Sequence, residues 1–114
     1  MKISIFPLVI IFPLIVAGCT SQKPTETTTN TLVQQLSELC IQACNNVLAA
    51  GQPLEEGPCL LNPIREDRIW VCDVAHNPRQ PIDDLPENQC SAYISGEANH
   101  FVEVTPDCKF IRAK

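Results

Sequence analysis

The 114-residue chain has seven cysteines, and they constrain it more than any other feature. Cys19 ends an apolar leader and stands apart. The other six are Cys40, Cys44, Cys59, Cys72, Cys90 and Cys108. An even set in a short exported chain reads as a disulfide framework, because a domain this small buries too little surface to be secure without cross-links. Six cysteines allow fifteen pairings. No Cys-x-x-Cys pair occurs, so the spacing of zinc ribbons, iron–sulfur centres and most thiol redox sites is absent.

The leader sets the address. Lys2 precedes an apolar run from Ile3 to Val16, interrupted by Ser4, Pro7 and Pro13, and Ala17-Gly18-Cys19 follow. A basic start, a short apolar stretch and small residues describe a secretory signal. A membrane span needs about 20 apolar residues; this run is shorter and carries two prolines, which makes an uncleaved span the second reading. Val16-Ala17-Gly18-Cys19 resembles the lipobox of lipoprotein signal peptides, over residues 1–19 only. The resemblance implies removal of 1–18 and a lipid on Cys19, hence a protein anchored at the extracytoplasmic face of a cell membrane. Residues 20–31 contain nothing apolar to offset the entropy of ordering them. We therefore expect a lipidated cysteine and threonine-rich tether over 19–31, and one domain over 32–114.

Charge narrows the partners. The chain carries eight basic and thirteen acidic side chains, and Lys2 leaves with the leader. An acidic body does not suit nucleic acid, whose binding rests on neutralising phosphates, nor a basic patch on anionic lipid heads. Lipid on Cys19 is then the only membrane contact, and stable anchoring takes two acyl chains.

The spacing of Val33, Leu36, Cys40, Ala43, Cys44 and Val47 predicts a helix over 31–50 with one apolar stripe. Thr31 and Gln34 fit a capping box, and Gly51 and Pro53 end the helix. Cys40 and Cys44 lie one turn apart on that stripe, so they should bond different partners; Cys44–Cys59 is the bridge we expect. Residues 52–68 read as a loop. Residues 69–74 read as a strand that places Trp70, Cys72, Val74 and His76 on one face and Asp73 on the other. Cys90 to Ile94 reads as a short strand, and His100 to Val104 as a further one. Thr105-Pro106-Asp107 makes a turn into a returning strand from Cys108 to Arg112. The expected class is α+β, one N-terminal helix packed on a small, mostly antiparallel, disulfide-stapled sheet.

Candidate sites are few. If the strands at 69–76 and 100–104 pair antiparallel, His76 and His100 become neighbours, and Asp73, Asp83, Asp84 or Glu103 could complete a divalent-metal site. Trp70, Tyr93, Phe101 and Phe110 are expected in the core. The segment 77–89, with Pro78, Pro81 and Pro86 between flanking cysteines, is long for a compact domain and reads as an ordered contact loop. It would present Arg79, Ile82, Asp83, Asp84 and Leu85, and its charges, if exposed, would contribute little to stability. Asp83, Asp84 and Glu87 lack the calcium-loop pattern. No hydrolase, zinc-protease or phosphate-loop motif occurs, and no cofactor is implied.

Four segments, Gly57 to Leu60, Trp70 to Arg79, Pro86 to Cys90 and His100 to Val104, resemble a group of small uncharacterised archaeal exported or cell-surface proteins. The resemblance implies a source and a surface location, and transfers no functional residue. The leading expectation is a lipid-anchored surface protein of binding or structural character, contacting an unknown protein or small ligand. The alternative is a metal-binding protein or metal-dependent enzyme using His76 and His100.

Overall fold

The structure, a computed structural model, describes residues 10–15, 17–19 and 26–114. Most of the expected leader and the start of the expected tether lie outside them. Cys19 is exposed and has no disulfide partner. Among the described residues, no helix is long and apolar enough to cross a membrane.

One long helix, α1 (Glu26–Ala49), packs on a four-stranded sheet. The strands are β1 (Cys59–Leu61), β2 (Trp70–Val74), β3 (His100–Val104) and β4 (Phe110–Ala113), ordered β1-β2-β3-β4. The outer pairs are antiparallel and the central pair, β2 with β3, is parallel. The helix begins five residues before the expected Thr31, so Glu26 to Asn30 belong to it and not to a tether. Extending a helix already fixed by its packed stripe costs far less than starting one. At the other end Gly51 takes φ of 76°, its N–H meets Leu48 O, and the Gln52 N–H meets Val47 O. These two bonds are the Schellman closure, which favours glycine at that position.

The sheet separates two apolar clusters. Towards α1 lie Leu36, Cys40, Cys44, Trp70, Cys72, Val74, Val102 and Val104. The far face carries Val71, packed with Cys90, Ala92 and Ala98, and flanked by Cys59 and Phe101. Every residue of β2 is buried, because the sheet is covered on both faces. What covers the far face is the connection from β2 to β3. Parallel neighbours need a crossover of a dozen or more residues, which accounts for the length of 75–99. It holds 3₁₀ turns at Pro81–Asp84 and Pro86–Asn88, then the short helix α2 (Ser91–Ile94), where we expected a strand. β1, in turn, lies where we expected only loop.

Three disulfides tie these layers: Cys40–Cys72, Cys44–Cys108 and Cys59–Cys90. Cys40 and Cys44 take different partners, as helix geometry requires. The expected Cys44–Cys59 bridge does not form. Cys59 pairs in register with Asp73 and belongs to the cluster on the far face, so the sheet stands between it and the helix. A small domain with three disulfides is consistent with an extracellular or secreted location.

Candidate functional site

Parallel pairing of β2 and β3 decides where the histidines go. Trp70 is in register with His100, and Val74 with Val104. His100 therefore lies at the start of the central pair and His76 just past its end, so the antiparallel arrangement that would make them neighbours is not formed. His100 stacks on Trp70, with centroids 4.6 Å apart and planes at 19°. His76 bonds Asp83 instead. Among the described residues no group of three or more His, Cys, Asp and Glu side chains is placed to hold a metal ion. The site of His76, His100 and Asp73 is not assembled.

The 77–89 segment forms two 3₁₀ turns tied by hydrogen bonds, but its charges do not serve as expected. Asp83 is only 1% exposed. Its Oδ2 accepts from the backbone N–H of His76 and of Gln80, at 3.0 and 2.8 Å, and its Oδ1 meets His76 Nδ1 at 2.8 Å. Desolvation pushes this carboxyl up, but those hydrogen bonds outweigh it and hold it below the usual carboxylate range. Gly57, at φ of 71°, lies directly beneath: an added Cβ would stand 2.8 Å from Asp83 Oδ1. Asp83 is thus an internal strut, not a contact residue. Arg79 is also committed, bonding Asp84 and Glu103. Asp84 and Leu85 remain exposed, and Ile82 is half-buried.

The groups that do converge lie on the far face of the sheet. Asp73 pairs in register with Glu103, and Glu103 with Arg112, so three neighbouring strands carry a row of side chains, acid, acid and base. Glu103 is paired at both oxygens: Oε1 accepts from Arg79 Nη1 at 2.7 Å and Oε2 from Arg112 Nε at 2.8 Å. Arg112 also sits 5.1 Å above the Phe101 ring, which Tyr93 meets edge-on. These residues, with Val71 and Gln89, line a cavity of about 270 Å³ between sheet and crossover.

Asp73 is the unusual member. It is 8% exposed. Among the described residues its Oδ1 is the one buried side-chain oxygen or nitrogen without a hydrogen-bond partner. Desolvation first, and the neighbouring Glu103 charge second, push its carboxyl up to about 8; the Val74 N–H and Arg79 pull weakly the other way. At neutral pH it is largely a protonated acid facing a cavity.

The sequence places Asp73 on the correct face, but for the wrong site. Arg112 and Gln89 went unmarked, and Glu103 entered only as a possible metal carboxylate, although the alternation Val102-Glu103-Val104 carries the signal that it faces away from the helix. Of the aromatics, Trp70 is core, Phe101 is half-buried, and Tyr93 and Phe110 are exposed, contrary to expectation. A comparison of the chain with protein-family models, curated proteins and solved structures finds no match.

Proposed function

We propose that the chain is an exported protein, lipid-anchored through Cys19 at the extracytoplasmic face of a cell membrane. Its domain is a small binding module, not an enzyme, with the Asp73 cavity as its site. The leader and its Val16-Ala17-Gly18-Cys19 ending support the address. The three disulfides support an oxidising compartment.

One observation carries the binding reading: the buried, unpartnered Asp73 Oδ1 at the cavity wall. Leaving such an atom unsatisfied costs about 1–3 kcal/mol, and native folds seldom accept that without a role. Of the other groups that line the cavity, Cys90 is bonded to Cys59 and Glu103 to two arginines.

Two measurements test the proposal. The Cys19→Ser protein should pass from the membrane fraction to the soluble fraction; continued tight association would replace the anchor with an uncleaved span. Thermal unfolding of the purified protein should be raised by at least one class among neutral polyols, amino acids, amines and carboxylates. Binding to the native state alone stabilises by mass action, and Asp73→Asn should abolish the effect. A panel without any such class would refute the binding reading.

A further inference from the structure

The cavity offers two unlike groups to a ligand. Asp73 lines the cavity, and its carboxyl, with one buried oxygen unpartnered, is an acceptor once ionised. Arg112 is half-exposed and engages Glu103 through Nε, so a cation stands at the rim. Glu103 between them is already paired with an arginine at each oxygen. A simple anion would meet Glu103 and, once it ionises, Asp73, and a simple cation would meet Arg79 and Arg112. A molecule carrying both charges satisfies both ends.

Size agrees. Asp73 and Arg112 stand two strands apart in one row, a separation of roughly 10 Å at the backbone. The amine and carboxylate of an α-amino acid lie roughly 3 Å apart, and two hydrogen bonds of about 2.9 Å complete the span. A cavity of about 270 Å³ lies just below the range of drug-sized pockets, so it suits a single metabolite. Tyr93, Phe101 and Val71 add apolar wall beside Gln89.

We infer that the cavity binds a small zwitterion of the α-amino-acid class, its ammonium on the Asp73 carboxyl, its carboxylate on Arg112 and an apolar side chain against Tyr93 and Phe101. The inference rests on the reading of the domain as a binding module and names its ligand class. Ionisation follows from the same contacts. Asp73 faces Glu103 on β3, Arg112 on β4, Tyr93 on α2, and Arg79 and Asp83 in the crossover. With its carboxyl held up to about 8, an arriving ammonium must displace a proton. Affinity should rise with pH until about 8, and binding at pH 7 should release a proton.

Calorimetric titration of the detergent-solubilised full chain tests this, with L-leucine and L-phenylalanine as probes. At least one should bind, with proton release visible as a buffer-dependent heat. N-acetyl-L-leucine lacks the ammonium and L-leucinamide lacks the carboxylate; each should bind about tenfold or more weakly than leucine, as expected for a lost charged hydrogen bond. Asp73→Asn should abolish the proton release, and Arg112→Gln, at the sheet edge, should weaken binding about tenfold without abolishing that release. If neither amino acid binds, or if both blocked forms match leucine, the inference is overturned. Xylitol distinguishes the two failures. Binding of xylitol but not of amino acids refutes the zwitterion and leaves a binding module, whereas silence from every probe and from the thermal panel removes both.

Discussion

Asp73 and Asp83 are both buried carboxyl groups on neighbouring segments, and their surroundings move them in opposite directions. Asp73, desolvated and beside Glu103, is held up to about 8 from 3.8. Between these values the unfolded chain has lost the proton and the folded chain keeps it, so its contribution is fullest below about pH 4 and declines until about 8. Four units correspond to a figure of order 5 kcal/mol. In Asp73→Asn that decline should vanish, and chemical denaturation from pH 4 to 8 measures it. Parallel profiles for the two proteins would mean that Asp73 ionises normally. Asp83 is depressed, so its stabilisation is present above its unfolded pKa and is lost as pH falls through the folded one. Asp83→Ala leaves two backbone N–H groups and the His76 ring without their acceptor, and should cost about 3 kcal/mol or more in urea denaturation. A loss below about 1 kcal/mol would show that water replaces the carboxylate. Gly57→Ala should be comparably damaging, since it meets Asp83 Oδ1 and the Val74 carbonyl at a backbone angle that disfavours side chains.

Among the elements, α1 depends most on covalent attachment. Two of the three bridges leave it, one to β2 and one to the turn before β4. Cys44–Cys108 closes a loop across 64 residues, and removing such a constraint from the unfolded chain costs about 4 kcal/mol. The Cys44→Ser/Cys108→Ser protein should lose stability of that order; loss of less than about 1 kcal/mol would place the helix's security in its apolar stripe. The stripe itself, the faces of Trp70, Cys72 and Asp73, the strand His100–Val104 and the hairpin turn at Pro106 were all legible, because each is a local period or a local turn rule. Strand order was not. A parallel pair differs from an antiparallel one only in how the connection runs, and 75–99 reads as loop whichever way it travels. That single ambiguity moved His76 away from His100 and hid the row formed by Asp73, Glu103 and Arg112.

At the scale of the molecule, the bridges interlock: Cys40–Cys72 and Cys59–Cys90 overlap, and Cys44–Cys108 spans most of both. No peptide bond from Cys40 to Cys108 lies outside every loop. A protease that cuts this stretch once therefore leaves two fragments joined through sulfur. Limited digestion should show cleavage on a reducing gel and one full-mass band on a non-reducing gel; separation without reductant would contradict the pairing. Two cuts in this stretch release a peptide only when both fall within one cysteine-free interval, and the interval 73–89 carries Asp73, Arg79 and Asp83. The bridges thus preserve the continuity of the particle under attack, while the segment that walls the cavity is among those they leave removable.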